Sequence, residues 1–325
     1  MRVYYAIVME IILEKQHERC RKLRETNVNN ASVENALSYA SIALEDFKRN
    51  LLAKLFENFS KSILDLTYFR ENELTESAFN PEMVLVQLNE ILGLMTQCSQ
   101  LLEKHLGRLP SEKELIEHLT LDVVECIHWR VGALFYMYCH TVRDTPGRIE
   151  KERRMLLKCC CIGVCHLQKM ASIRTPLSDD EDVISHDATV TGLLRKGIFS
   201  DVHMLSLMYA GEMCYWYWQE SMKLTGDETV NNLTPSSSQA IASLLYPGAG
   251  ASASLLPNPS QVSIVVTCLC GEQFTSDWEK SFNALQFGQV CLSKYIEVAR
   301  GPLKEHGWKY DAAVKMTVEM KKNIT

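Results

Sequence analysis

Apolar residues recur every three or four positions through most of this sequence, which is the spacing that places them on one face of an α-helix. Two of these apolar stripes follow each other closely. They are Val33, Leu37, Ala40, Leu44, Phe47 and Leu51, and then Phe56, Phe59, Ile63, Leu66 and Phe69. Because one helix of their combined length is unusual in a compact domain, the pattern favours a break near Asn50.

The same periodicity predicts a succession of further helices. We expect them over residues 81–106, 121–142, 149–172, 189–196, 201–222, 277–300 and 308–320. Ser111 and Glu114 have the spacing of a capping box, so a short helix should also begin after Pro110. The helix over 121–142 is apolar on most sides, which is typical of a helix at the centre of a bundle.

The composition changes after the helix that ends near residue 222. Residues 225–261 are rich in Ser, Gly, Pro, Asn and Ala, which predicts a flexible insertion, and residues 263–270 have the β-branched character of a lone strand. We therefore expect a single irregular all-α bundle. Its parts are an N-terminal extension (1–30), a helical core (31–223), a flexible insertion (224–276) and C-terminal helices that pack on the core (277–325).

The N-terminus has an apolar face followed by basic residues, which is the pattern of a helix on a membrane surface. The apolar residues are Val3, Ile7, Val8, Ile11 and Ile12, and the basic residues are Arg19, Arg21, Lys22 and Arg24. Interleaved glutamates weaken the attraction to anionic lipid, so an ordinary docking helix or a frayed terminus is favoured. No apolar stretch reaches the roughly 20 residues that a bilayer-spanning helix needs.

Charge and cysteine content limit the class of protein further. With 34 basic and 40 acidic residues the net charge is −6, so no basic excess indicates nucleic-acid binding. Many of the twelve cysteines lie in apolar helical stretches, which we interpret as reduced cytosolic thiols. The cluster Cys159, Cys160, Cys161 and Cys165 favours a half-buried helix face, with a zinc site or reversible palmitoylation as alternatives.

No motif of a known enzyme class is complete in this chain. The acidic run Asp179–Asp182 resembles part of the Asp-Asp-x-x-Asp magnesium motif of all-helical isoprenoid synthases, but Val183 replaces the final Asp. A solvated loop is therefore favoured over a magnesium site. The glycine-rich phosphate-binding motifs are missing as well. We predict no catalytic, cofactor or metal site.

Two segments, 125–140 and 197–216, combine aromatic and polar residues at high density. We expect most of these residues to pack between two core helices, with Tyr, His and Glu groups bonding to one another. The remainder would line a groove for a partner protein.

These segments also belong to a set of long, composition-specific motifs. The motifs are residues 63–69 with 71–72, residues 129–130 with 132–140, residues 197–201 through 211–216, and residues 301–305 with Trp308. They resemble the family of Rab-interacting subunits of the Mon–Ccz complex. The first thirty residues and the insertion from 225 to about 277 depart from that family, so a function located there is not implied.

The resemblance implies a non-enzymatic adaptor for a late-endosomal Rab GTPase and its Mon–Ccz exchange factor. It further implies a cytosolic protein, recruited to mitochondria and late endosomal membranes, that supports placement of the Rab on damaged mitochondria in mitophagy. A metal-dependent helical enzyme that uses the acidic loop and a purely structural subunit are the alternatives. The polar partner-binding candidates within the matched motifs are Arg130, His140, Asp201, His203, Glu212 and Lys304.

Overall fold

A computed structural model of the protein describes residues 2–178, 188–227 and 283–323. Within these ranges the chain forms helices and no strand, so the all-α prediction is confirmed. The helices are α1 (Arg2–Thr26), α2 (Ala31–Lys48), α3 (Leu52–Glu76), α4 (Val84–Leu106), α5 (Glu112–Leu119), α6 (Leu121–Asp144), α7 (Arg148–Ile173), α8 (Ala188–Arg195), α9 (Asp201–Asp227), α10 (Ala284–Arg300) and α11 (Asp311–Lys322), with a 3-10 turn at Lys304–His306.

The first four helices pack as successive antiparallel neighbours, joined by short turns. The expected break between α2 and α3 is confirmed at Asn50, where the backbone φ is 57°. Asparagine tolerates this left-handed conformation better than most residues, so it suits the turn. The capping box is also confirmed, because Ser111 and Glu114 bond each other's backbone amides at the start of α5.

Helix α1 packs against α2 and α4. Met9, Leu13 and Cys20 are buried, whereas Ile7 and Ile11 are about half exposed. The inward face also contains Gln16, which is buried and donates a hydrogen bond to Ser62 of α3. Ile7 and Ile11 of the apolar stripe noted in the sequence therefore lie outside the buried face, which includes polar Gln16.

Helices α6, α7 and α9 form the second layer of the bundle. His128 and Cys139 of α6 lie against His166 and Cys160 of α7, so these two helices are antiparallel. The approach is close at Gly132, where an added Cβ would lie only 2.5 Å from the Leu167 side chain. Helix α6 is buried on most sides, as its apolar composition predicts.

Of the C-terminal helices, α10 packs against α9 and α11 packs against α10. One continuous hydrophobic core runs from Met9 of α1 to Met320 of α11, which confirms a single bundle. Helix α9 continues to Asp227, slightly beyond its predicted end. Most of the insertion, including the expected strand at 263–270, lies outside the described residues.

Helix α7 corrects two sequence expectations. Its 26 residues are long and apolar enough, by length and composition, to cross a bilayer, although no such stretch was expected. Most of that apolar window is buried within the protein, which is the arrangement of a core helix. The cysteine face of α7 is also buried rather than half-buried, because Cys159, Cys160 and Cys161 are fully enclosed.

Candidate functional site

The two aromatic-rich segments of the sequence become α6 and α9, which lie side by side on α7. Glu125 near the start of α6 faces His203 near the start of α9, and Arg143 near the end of α6 faces Gln219. The two helices therefore run parallel to each other, with α7 antiparallel beneath them. We name the partly exposed side of this pair the α6–α9 face.

A row of stacked aromatic rings, which we call the ladder, lies along the α6–α9 face. The Trp129 and Tyr209 rings stack with centroids 5.6 Å apart, and Tyr209 stacks on Tyr136 at 3.6 Å. Tyr136 in turn stacks on Trp216 at 5.4 Å. The Arg143 guanidinium lies 5.2 Å from the Trp216 ring centroid and ends the ladder with a cation–π contact.

The ladder contains a partly buried hydrogen bond between α6 and α9. The Tyr136 hydroxyl donates to a Glu212 carboxylate oxygen at 2.6 Å. Burial raises the pKa of Glu212, although the Tyr136 hydroxyl and the charges of His140 and Arg143 oppose that rise. A Tyr and a Glu thus satisfy each other in the interior, as the sequence interpretation expected.

An open cleft with a volume of 350 Å³ lies at the N-terminal end of this face. Its polar wall is a chain of charged groups in which Arg174 donates to Glu125 at 2.7 Å and to Asp122 at 2.6 Å. The other Glu125 oxygen lies 3.0 Å from Nε2 of His203. Trp129 lines both the cleft and the ladder, so the two features form one continuous surface.

The cleft also places a serine beside this histidine. Ser200 Oγ lies 3.1 Å from Nδ1 of His203, which gives the order hydroxyl, imidazole, carboxylate. Serine hydrolases place the hydroxyl at Nε2 and the carboxylate at Nδ1, so the two ring nitrogens are exchanged here. Ser200 immediately precedes α9, and His203 lies three residues after Ser200. This is the spacing between the N-cap residue of a helix and its third helical residue.

The structure brings some of the predicted partner-binding residues together. His140 and Glu212 lie on either side of Tyr136 on the α6–α9 face, and the His140 side chain is 46% exposed. His203 is buried in the wall of the cleft, and Asp201 is exposed in the first turn of α9.

The other two candidates lie elsewhere. Arg130 is buried on the side of α6 that faces α3, where it pairs with Glu71 at 2.8 Å and donates to the Leu64 carbonyl. It therefore joins the two layers of the bundle. Lys304 is exposed in the 3-10 turn after α10. Arg130 and Lys304 thus lie outside the α6–α9 face.

Sequence reasoning missed several residues of the face. Arg174 was overlooked because it follows α7 and lies outside the aromatic-rich segments, 49 positions after Glu125. Trp129 and Tyr209 lie within those segments, but periodicity does not separate a half-exposed ring from a core ring. The aromatic density itself was the one signal that pointed to them.

The remaining sequence candidates for chemistry have structural roles or lie outside the described part. The ten cysteines within the described ranges are free thiols, and no three His, Cys, Asp or Glu side chains there come together to hold a metal ion. The acidic run Asp179–Asp182 lies outside the described residues. The solvated loop that the sequence favours there, and the magnesium site that is its alternative, therefore stay untested.

The fold and the face define an all-helical protein whose most specific surface is a shallow aromatic seam that ends in a charged cleft. Comparison with known proteins then gives its family. Residues 29–247 match the family model described as RAB7A-interacting MON1-CCZ1 complex subunit 1, and this chain belongs to that family.

Curated relatives with the same description cover a large part of the chain. The relative from Danio rerio is 34% identical over 203 residues, which is 61% of this chain and 72% of that protein. The relative from Homo sapiens is 29% identical over 256 residues, which is 79% of this chain and 74% of that protein. No solved structure matches this chain. The matched region contains α2 to α9, and thus the whole α6–α9 face, whereas α1 precedes it.

Proposed function

We propose that this chain is a non-enzymatic adaptor that binds a late-endosomal Rab GTPase and its Mon–Ccz exchange factor. The observation that carries the proposal is the family match over residues 29–247, because the names of the relatives specify both a Rab interaction and membership of the MON1–CCZ1 complex.

The α6–α9 face is the surface that best supports this proposal. Trp129 and Tyr209 are partly exposed, and Met137 is 39% exposed one turn before His140. Aromatic residues and methionine are enriched at protein interfaces because they offer large contact areas to a partner. Stacking within the ladder holds the Trp129 and Tyr209 rings in place, which lowers the entropic cost of binding.

The cellular part of the proposal follows from the same family. The adaptor is cytosolic, is recruited to mitochondria and late endosomal membranes, and supports the placement of the Rab on damaged mitochondria in mitophagy. Depletion of the protein should therefore reduce the Rab signal on depolarised mitochondria, measured by imaging. Unchanged Rab recruitment in depleted cells would contradict this part alone.

A capture experiment with purified components tests the binding proposal. The immobilised protein is presented with the Rab, loaded with GDP or with a GTP analogue, in the presence and absence of the Mon–Ccz complex. Rab capture without Mon–Ccz would support direct binding and reveal the preferred nucleotide state. Capture of Mon–Ccz with no Rab contact would select a purely structural subunit, and no capture of either would contradict the proposal.

The non-enzymatic part of the proposal is testable at the cleft. Because Ser200 and His203 have helix-cap spacing and exchanged ring nitrogens, Ser200 should not react with a fluorophosphonate probe. Ser200→Ala should reduce stability by about 1 kcal/mol, because the buried His203 ring loses a hydrogen-bond partner. Covalent labelling that disappears in Ser200→Ala would show an activated nucleophile and contradict a purely non-enzymatic role.

A further inference from the structure

A second concave surface lies between α1 and α4, in the first layer of the bundle. It is a notch with a volume of 180 Å³. Its polar lining consists of the cations Lys15, Arg19 and Lys104 together with glutamine amides, and no carboxylate lines it. In a chain of net charge −6, this is a local concentration of positive charge.

The notch has a prearranged arginine. Arg19 Nη1 donates to Oε1 of Gln16 at 3.0 Å, and Nε2 of the buried Gln16 donates to Ser62 Oγ at 3.1 Å. Ser62 in turn donates to the Ala36 carbonyl at 2.8 Å. A buried relay through three helices thus fixes one edge of the guanidinium, while its other N–H groups remain available to a ligand.

Among the residues that the structure describes, none of the three cations forms an ion pair, although Glu14 and Glu18 adjoin Lys15 and Arg19 on the outer surface of α1. The neighbouring Glu18 forms ion pairs with Arg21 at 2.8 Å and with Lys22 at 3.4 Å. The positive potential of the notch is therefore not cancelled by an internal ion pair. A guanidinium and two ammonium groups that converge with amide donors match the oxygen atoms of a phosphate group.

The exposed apolar residues of α1 indicate that this phosphate group belongs to a membrane lipid. Ile7 is 51% exposed and Ile11 is 43% exposed, and Ile11 lies one turn before Lys15 on the same helix. Exposed aliphatic side chains beside cations are typical of a helix that lies on a membrane, where the cations bind headgroups and the aliphatic groups enter the acyl boundary. A soluble phosphate would use the notch but not the isoleucines.

We propose that the α1–α4 notch binds the phosphate headgroup of an anionic lipid, with Ile7 and Ile11 entering the adjacent bilayer surface. This binding does not rest on the partner proposal, because the notch is a separate surface and its α1 side precedes the family match, which begins at residue 29 and includes α4. It gives the protein a membrane contact on a different surface from the α6–α9 face.

Vesicle co-sedimentation of the full chain tests the proposal. The protein should bind phosphatidylcholine vesicles that contain a phosphatidylinositol monophosphate or phosphatidylserine, and should not bind vesicles of phosphatidylcholine alone. Each cation near an anionic surface contributes about fivefold to affinity. Arg19→Gln with Lys104→Gln should therefore weaken binding roughly 25-fold, and raised salt should weaken the wild type.

A matched control removes two charges elsewhere. Lys309→Gln with Lys315→Gln changes exposed lysines on or beside α11 and should retain wild-type vesicle binding. Thermal melting confirms that each variant is folded. Equal vesicle binding by the two double variants, or no binding of the wild type to either anionic vesicle, would overturn the proposal.

A variant of the two isoleucines distinguishes a membrane lipid from a soluble anion as the ligand of the notch. Ile7→Ser with Ile11→Ser should weaken vesicle binding while leaving the binding of a soluble inositol phosphate unchanged. If this variant binds vesicles as the wild type does, the bilayer contact is wrong. Binding of an acidic peptide in the notch, with no vesicle binding, would assign the notch to a protein partner and also overturn the lipid proposal.

Discussion

The layer formed by α1 to α4 and the layer formed by α6, α7 and α9 differ in the polar groups that predominate in their interiors, which are mainly hydroxyls in the first and mainly ionisable side chains in the second. In the first, hydroxyls such as Ser62 and Thr67 return a hydrogen bond to a backbone carbonyl. In the second, ionisable side chains pair with each other, as Tyr136 does with Glu212. The first layer is therefore specified mainly by its apolar stripes, and the second also by individual side-chain pairs.

The largest expected effect comes from Trp216, which is 7% exposed and lies at the end of the aromatic ladder. Trp216→Ala should lower the free energy of unfolding by about 3–5 kcal/mol, because it removes a buried ring. Phe56→Ala in the first layer is the matched variant and should cost a similar amount. Chemical denaturation measures both values.

The two variants should differ in partner capture at a temperature at which both are folded. Loss of Trp216 removes support from the α6–α9 face, whereas loss of Phe56 does not. Near-wild-type stability of Trp216→Ala together with lost capture would make Trp216 an interface residue, and would break the assignment of the ladder to the core.

Glycine substitutions test how closely the helices approach in each layer. Gly132→Val should destabilise by about 2–3 kcal/mol, because its Cβ would overlap the Leu167 side chain. Gly93 of α4 has no atom within 4 Å of an added Cβ, so Gly93→Ala should stabilise by up to about 1 kcal/mol through helix propensity. Thermal unfolding that showed both changes to be neutral would contradict the close packing of α6 on α7.

The response to acid should reside in the second layer. The rings of His128 and His166 contact through their Nδ1 atoms at 3.1 Å. Burial lowers the pKa of His128 to about 3 and the pKa of His166 well below its usual value, with the charge of Lys169 acting in the same direction. Both histidines are therefore neutral in the folded protein at pH 7.

Because the unfolded chain binds these protons below about pH 6.5 and the folded chain does not, stability should fall as pH is lowered through 6.5. The expected loss between pH 7 and pH 5 is about 2 kcal/mol for each histidine. Urea unfolding at the two pH values measures it. In His128→Phe with His166→Leu this part of the pH dependence should disappear, and an unchanged dependence would exclude the pair as its source.

The smallest effect concerns the hydrogen bond in the ladder. Tyr136→Phe should cost about 1.5–2 kcal/mol, because the half-buried Glu212 carboxylate loses its phenolic donor. Tyr68 of α3 is 50% exposed, so Tyr68→Phe should change stability by less than about 0.5 kcal/mol. Equal effects of the two changes, measured by chemical denaturation, would remove the distinction between paired and solvated hydroxyls.

The sequence predicted the helices because their determinants are local. The stripes on α2 and α3, the turn at Asn50 and the capping box at Ser111 are each set by residues within a few positions of one another. The buried face of α1 was not predicted, because a buried glutamine continues that face, and a polar residue at this position has no apolar signal.

The candidate site was less predictable because its pairs are distant in sequence. Arg130 was proposed as a partner-binding residue, yet its ion pair is with Glu71, 59 positions earlier. The aromatic density of the two segments identified α6 and α9 correctly, but which ring stacks on which depends on the register between the helices. That register is set by contacts between residues far apart in sequence, such as Tyr136 with Glu212 and Glu125 with His203, which periodicity does not encode.

The central claim is that the exposed side of the α6–α9 pair binds the Mon–Ccz complex while its paired interior maintains the fold. The most direct test is the affinity of purified Mon–Ccz for the wild type, for Met137→Asp on the face, and for Val318→Asp on α11, since both residues are exposed and helical. We predict that Met137→Asp weakens binding at least about tenfold, because a charge is desolvated at the interface, and that Val318→Asp retains wild-type affinity. Wild-type affinity of folded Met137→Asp, or equal losses in the two variants, would contradict the claim.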